Sequence, residues 1–430
     1  MENLKNTLLR QNNHWQSDYK KIEYTERELI KEVDFNSKFI EIITGVRRSG
    51  KSTILNILID KLIFNKKISP KSILFINFDA PIFTPYYKKA QNLYEIIDQA
   101  EVILNKKIDY IFLDEIQNIE LWEKWVKEVY DTKLFKKIII TGSNSQLLES
   151  QYISRLSGRY FSHINFPFSF KEYLQSKNIK YYKNEIDNYP IKNKLIKNFQ
   201  NYLKTGGFPE VVIENNLSIL ENYYKTIILK DVIDNNQIKQ KVTLKELAYY
   251  LITNYTSFFS YTKLGKYLNT NENTIKDYVE YLKNAYIFYE LKKFDYSIKK
   301  QNINNKKIYC IDNGLISQVA FNFSKDKGKL LENHVFLELI RRKKDVYYYN
   351  NDFECDFLIK KDKKINQAIQ VCYDINKDNE KREIKGIKKV LDKYNLSQAI
   401  IINEKEDKTI NIENKKIVLK PAWKWSLENY

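Results

Sequence analysis

The chain has 430 residues, 43% of them hydrophobic and 14% aromatic, and a formal charge of +18. That apolar content excludes a disordered chain and suffices for two to four domains at roughly 100–200 residues each. With only 10 glycines, collagen-like and glycine-linker architectures are excluded as well.

The start, Met1 to Trp15, is polar and has no apolar signal-like core. No later run approaches the roughly 18–20 apolar residues of a membrane span. These features predict a soluble cytoplasmic protein without a membrane partner. Residues 39–44 read as a short β-rich run ending at Gly45, and Ile54, Leu55, Leu58 and Ile59 then repeat at helical spacing. Apolar runs follow at 73–78, 110–113 and 138–141, with helical patterns between them. In one of these, Trp122, Trp125, Val126, Val129 and Tyr130 share a face. Short buried strands alternating with helices predict a parallel α/β sheet. Residues 190–240 read as helical, broken at Gly206, Gly207 and Pro209. Helices with an Asn-rich turn at 269–273 occupy 243–290, and mixed strand and helix close the chain.

The first chemistry-bearing motif is Gly45-Val46-Arg47-Arg48-Ser49-Gly50-Lys51-Ser52, a full match to GxxxxGK[ST] between a strand and a helix. The glycines let the backbone curl so that its N–H groups face a phosphate, and the helix N-terminus adds a favourable dipole. In this reading residues 45–53, Thr53 included, cradle ATP; Lys51 reaches the β- and γ-phosphates and Ser52 ligates Mg²⁺. The apolar run 110–113 ends in Asp114 and Glu115. Asp114 suits a water-mediated hold on Mg²⁺, and Glu115 suits the polarisation of an attacking water. A second acid at this place favours hydrolysis over phosphoryl transfer to a small molecule. The run 138–141 leads into Gly142, Ser143 and Asn144, placed to sense the γ-phosphate. Arg155 and Arg159 follow, in a chain where nine of 72 basic residues are arginine. Either one could stabilise transition-state charge, in cis or from a neighbouring subunit, and a surface ion pair is the competing reading.

Taken in order, GVRRSGKST, YIFLDEIQNI, IIITGSNSQLL, SGRY, FPFSFKEYL and GGFPEVV resemble the prokaryotic family of AAA-type ATPases that carry a C-terminal DUF4143 domain. The resemblance spans about residues 20–405. It implies an α/β fold: a P-loop AAA+ core with a parallel sheet, then a helical lid, a winged helix and a small α/β domain similar to PD-(D/E)XK nucleases. The corresponding division is 1–189 for the core, 190–240 for the lid, 241–300 for the winged helix and 301–430 for the nuclease-like part.

Within the winged-helix region, Tyr261, Leu264 and Leu268 line one helix, and Ile275, Tyr278, Val279 and Leu282 line the next; residues 285–291 follow as the wing. The outward side of the second helix carries Lys276, Lys283 and Asn273, which suits phosphate contacts in a groove. In the last region Glu332 on a helix, Asp356 on a strand and Gln370 on the next strand resemble the nuclease acids and could hold a second divalent ion. The pattern departs from the family where a lysine belongs, because Cys372 stands there. That loss removes the group that would align a nucleophilic water, and a fold kept for binding or assembly is the expectation. The thiols Cys310, Cys355 and Cys372 lie in strand-like runs without metal spacing and read as reduced.

Three functions remain open on the sequence. The leading one is a Mg²⁺-dependent ATPase that moves its C-terminal parts. The others are a DNA-binding regulator switched by ATP with negligible turnover, and an ATP-gated DNA nuclease. DNA, another nucleic acid, a protein partner or a second copy of the chain all fit as partners. The positive charge decides nothing here, because an AT-rich coding bias enriches lysine by itself.

Overall fold

The structure, a computed structural model, describes residues 2–145, 155–321, 326–351 and 353–428. It divides into two units, residues 1–165 and 166–430. The first ends earlier than the core boundary expected at residue 189.

In the first unit the elements run α1 (Glu2–Gln11), β1 (Ile40–Thr44), α2 (Lys51–Asp60), β2 (Ile73–Asn77), α3 (Asn92–Leu104), β3 (Tyr110–Asp114), α4 (Trp122–Asp131), β4 (Lys137–Gly142) and β5 (Tyr160–Ile164). The five strands form one sheet in the order β2-β3-β4-β1-β5, with every pairing parallel. β1 and β4 are buried along their whole length, as expected when helices cover both sheet faces. The period of two assigns the faces. Ile40, Ile42, Leu74, Ile76, Ile111, Leu113, Ile138 and Ile140 join one core cluster with Trp122, Trp125 and Val126 of α4. Ile43, Phe75, Phe112 and Ile139 turn to the other side and join Ile54, Leu55 and Leu58 of α2. The edge strand β5 is mostly exposed.

Glu41 and Lys137, at the N-terminal ends of β1 and β4, centre a buried ion cluster. Lys137 Nζ meets Glu41 Oε1 at 2.7 Å and donates to the carbonyls of Asp34, Ser37 and Phe39. His163 bridges Glu41 and Glu32 at 2.7 and 3.2 Å. A buried ammonium with four oxygen acceptors is the arrangement that makes its burial tolerable.

The second unit opens with α5 (Phe170–Ser176), α6 (Tyr189–Thr205), α7 (Pro209–Glu214) and α8 (Ile219–Thr226). The α6–α7 turn has a specific cause. Gly206 sits at φ +70°, and a Cβ there would lie 2.0 Å from Asp312 Oδ1; a Cβ on Gly207 would lie 2.2 Å from the Phe168 carbonyl. The Gly207 N–H donates to Asp312 Oδ2 at 2.7 Å. The glycine pair therefore makes room for the buried carboxylate of Asp312.

Next come α9 (Lys241–Thr253), β6 (Phe258–Phe259), α10 (Tyr261–Tyr267), α11 (Glu272–Asn284), β7 (Phe288–Leu291), α12 (Ile298–Ile303) and β8 (Lys306–Cys310). β6, β8 and β7 form an antiparallel sheet in that order. β8 thus pairs with strands placed before residue 300, so the expected boundary at 300–301 cuts through this sheet. Of residues 285–291, expected as the wing, Phe288–Leu291 form β7, a strand of this sheet.

After α13 (Asn313–Val319) and α14 (Lys327–Arg341), the closing region holds β9 (Asp345–Asn350), β10 (Glu354–Lys361), β11 (Lys364–Val371), α15 (Glu380–Lys393), β12 (Gln398–Asn403), β13 (Lys408–Ile412), β14 (Lys415–Pro421) and α16 (Ala422–Ser426). The sheet order is β13-β14-β12-β11-β10-β9. β9, β10 and β11 are antiparallel neighbours, while β11, β12 and β14 run parallel. The β9–β10 register shifts between Cys355 and Leu358, a bulge at Asp356 and Phe357 that re-aims these side chains. Among the described residues no helix is long and apolar enough to cross a membrane.

Candidate nucleotide site

The site stands at the C-terminal ends of the parallel strands of the first unit, the usual place for ligands in such sheets. Register brings Asn77 opposite Asp114, and Thr44 opposite Gly142. Between β1 and α2, the loop 45–50 turns through Gly45 at φ +146°, Arg48 at +69° and Gly50 at +92°. A Cβ on Gly45 would lie 2.2 Å from the Asn165 carbonyl oxygen. Both of its geometric demands therefore exclude a larger residue.

Lys51 is buried. Its Nζ donates to the carbonyls of Gly45 at 3.1 Å and Val46 at 3.3 Å, and stands 3.7 Å from Glu115 Oε1. Ser52 Oγ donates to Asp114 Oδ2 at 2.5 Å. Three further groups organise the acids. Asn77 Nδ2 donates to Asp114 Oδ2 at 2.9 Å, the Thr141 hydroxyl donates to Asp114 Oδ1, and the Glu115 N–H donates to Thr141 Oγ1 at 3.1 Å. Gln117 Nε2 holds Glu115 Oε2 at 2.5 Å, and Glu115 itself is left-handed at φ +55°. A non-glycine residue in that conformation is strained, and such strain concentrates where a side chain must be aimed.

The two acids titrate in opposite directions. Burial, then the neighbouring Glu115 charge, raises Asp114 to about 6, against hydrogen bonds from Ser52 and Thr141 and the pull of Lys51. Burial would also raise Glu115, but the Lys51 ammonium, the Gln117 amide and Arg47 together hold it below the usual glutamate range. Glu115 is consequently the firmly ionised member, available as an acceptor for a water proton.

Ser143 and Asn144 are buried just past β4. Arg47 is half-buried, while Arg48 and Thr53 are exposed. The arginines Arg155 and Arg159 are not gathered into this group. Arg155 pairs with the buried Glu123, and Arg159 pairs with Asp131 through Nε at 2.8 Å. Both acids belong to α4, so the structure supports the ion-pair reading of this pair within the chain.

Sequence reasoning missed Arg27, Asn77, Thr141, Gln117 and Asn165. Arg27 is buried and donates to the Ser49 carbonyl at 3.1 Å and to Asn165 Oδ1 at 2.9 Å. Asn165 Nδ2 donates to the same carbonyl at 2.9 Å and to Ser49 Oγ at 3.1 Å. The two residues brace the loop from outside the motif. Polar residues at strand ends were the available signal for Asn77 and Thr141. Arginine scarcity could have marked Arg27, whereas Asn165 had no signal in so Asn-rich a chain.

Three family profiles match in succession: the AAA domain (AAA_14) at residues 37–174, a domain of unknown function (DUF8612) at 196–326, and a second (DUF4143) at 327–424. An uncharacterized protein of Methanocaldococcus jannaschii is 34% identical over 411 residues, covering 90% of this chain and 88% of its own. The chain belongs to the AAA-domain family with a C-terminal DUF4143 domain. An uncharacterized protein of Haemophilus influenzae is 31% identical over 397 residues, with 90% of this chain and 94% of that protein covered. Among solved structures, the Aeropyrum pernix ORC1 protein in complex with DNA superposes with a TM-score of 0.33 at 8% identity, over 72% of this chain and 95% of that one. The family's core is the parallel five-stranded α/β sheet described above.

Two further sequence expectations meet the structure in the second unit. On α11, Lys276 pairs with Glu272 at 2.6 Å, and Lys283 pairs with Glu280 at 2.6 Å and Glu290 at 3.0 Å. The lysines expected to meet phosphates are thus each in ion pairs with acids of the same region. Glu332 and Asp356 do come together, but with a lysine between them, as described below.

Proposed function

We propose that the chain binds ATP with Mg²⁺ and hydrolyses it to ADP and phosphate. One observation carries this reading: the loop lysine and two adjacent acids of opposite titration converge at one sheet end, with Lys51 3.7 Å from Glu115 and Ser52 2.5 Å from Asp114. The residues fit the metal. Asp114 and Ser52 are the hard oxygen donors a small dication takes when phosphates and water supply the rest. The second acid, Glu115, is left ionised. Among the described residues no group of three or more His, Cys, Asp or Glu is placed to hold a metal, so the ion would be shared with phosphate. Bound there, Mg²⁺ would neutralise phosphate charge.

The chain's own groups do the rest. Loop N–H groups receive the phosphate oxygens, and Lys51 exchanges the Gly45 and Val46 carbonyls for the phosphates. Glu115, aimed by Gln117 and its strained backbone, orients water and accepts its proton. Ser143 and Asn144 stand where the presence of a γ-phosphate would be felt. We read α9–α11 with the β6-β8-β7 sheet as a winged helix, which the strand order supports, and the region from α14 onward as a nuclease-like fold. We read both as the parts moved by the nucleotide cycle. With the α11 lysines paired to acids, contact with DNA through that helix has no observation in its favour, and the regulator reading stays second.

Steady-state phosphate release from the intact chain tests the proposal, alone and with single-stranded DNA, duplex DNA or RNA. Lys51→Ala and Glu115→Gln should each lower it at least ~100-fold, the usual effect of removing a general base or a group on developing charge. A rate equal to buffer in every condition would sink it.

A further inference from the structure

The nuclease resemblance of the C-terminal region implies a divalent ion held by Glu332 and Asp356, and the residues do not fit one. Lys307 of β8 reaches between them. Its Nζ lies 3.1 Å from Glu332 Oε1, 3.2 Å from Asp356 Oδ1 and 3.5 Å from Glu354 Oε1. Its side chain is only 4% exposed.

Further acceptor positions are also taken by the protein. Tyr309 OH donates to Glu332 Oε1 at 2.7 Å, and the Val371 N–H donates to Asp356 Oδ2 at 3.0 Å. Gln370, expected beside the metal, instead accepts from the Asp356 N–H at 3.2 Å. The Phe258 ring lies 5.2 Å from the ammonium, a contact that favours a cation. Asp356 lies in the register shift of β10 against β9. Among the described residues nothing gathers three metal-binding groups.

We propose that Lys307 is a resident cation: its ammonium occupies the place of a divalent ion between Glu332 and Asp356. This part of the chain then works without metal. A monovalent, permanently attached charge offers no open coordination position and cannot activate water. What it does is join. Lys307 and Tyr309 belong to the β6-β8-β7 sheet, Glu332 to α14 and Asp356 to β10 of the larger sheet. The cluster therefore ties the two sheets into one body, the property wanted of a rigid arm and not of a nuclease. The inference does not depend on ATP hydrolysis.

The test is a Mn²⁺ titration of the full nucleotide-free chain, followed by thermal melting and by electron paramagnetic resonance of free Mn²⁺. An Asp114→Asn background silences the other acid pair. The Lys307-containing protein should show no melting shift and no Mn²⁺ uptake at millimolar concentrations. Lys307→Met should melt several degrees lower, regain the loss with Mn²⁺, and lose that rescue when Asp356→Asn is added. Uptake by the Lys307 protein that Asp356→Asn abolishes would overturn the proposal. So would divalent-dependent cleavage of plasmid DNA by the unmodified chain that Asp356→Ala removes. A folded Lys307→Met protein indifferent to Mn²⁺ would overturn it too. If Lys307→Met does not fold, the comparison of the Lys307 protein with Asp356→Asn decides alone.

Discussion

Ser52 Oγ donates to Asp114 Oδ2 at 2.5 Å, joining the first turn of α2 to the end of β3 across 62 residues of sequence. The bond holds the two proposed metal-side oxygens together before any ligand arrives. It also spends the hydroxyl proton on the carboxylate, which leaves the lone pairs of the Ser52 oxygen for a cation.

Asp114→Asn keeps the size of the side chain and removes its charge. Phosphate release should fall by about 10²–10³-fold, the range for losing one preorganised electrostatic group. Binding of a fluorescent ATP analogue without Mg²⁺ should change less than twofold, while the tightening that Mg²⁺ brings should disappear. Equal losses with and without Mg²⁺ would assign Asp114 to folding instead.

The same residue predicts a pH dependence. Asp114 is raised from 3.8 to about 6 by burial, so the folded chain holds this proton more tightly than the unfolded chain. Its contribution to stability is full below about pH 4, is lost as pH rises toward 6, and is absent above. Relative to Asp114→Asn, the parent chain should lose on the order of 2 kcal/mol between pH 4 and 7. The difference between two nucleotide-free urea titrations across that range measures it. A flat difference contradicts the assignment.

Arg27 should matter to the loop without touching phosphate. Arg27→Ala leaves the Ser49 carbonyl its bond from Asn165 but removes the guanidinium that holds both. The expected cost is about 1–3 kcal/mol of stability, from losing a charged buried donor. ATP-analogue affinity should weaken roughly tenfold. Phosphate release at saturating ATP should stay near the parent value, which separates a brace from a catalytic group.

The α6–α7 glycines should be intolerant for reasons unrelated to nucleotide. Gly206→Ala adds a methyl group 2.0 Å from Asp312 Oδ1 at a positive φ, and Gly207→Ala adds one 2.2 Å from a carbonyl oxygen. Each should cost at least ~2 kcal/mol in chemical denaturation. Saturating nucleotide should leave that cost in place, since both contacts lie within the second unit.

Much of the first unit was legible because its signals are local. The GxxxxGK[ST] spacing, the acids closing an apolar run and the Trp face of α4 each follow from residues close in sequence. Where a feature depends on what lies across the fold, legibility stopped. Lysine at 307 belongs to no motif, yet the fold sets its ammonium between Glu332 and Asp356. Gly206 and Gly207 looked like a plain break in a helical run, yet what requires them is Asp312, about a hundred residues on. Arg155 and Arg159 looked like candidates for transition-state charge, and their partners turned out to be acids of α4.

The sequence by itself determined the alternation of strands and helices, the loop that can receive a phosphate, and the acids that could serve it. Periodicity and backbone demands are written in adjacent residues. Only the tertiary structure decided the strand order β2-β3-β4-β1-β5, which inserts β4 between the loop strand and the acid strand and so places Thr141 against Asp114. It alone decided which cation faces which carboxylate. A charge is defined chemically by its residue, but its role is set by the groups within about 4 Å of it, and those come from distant parts of the chain.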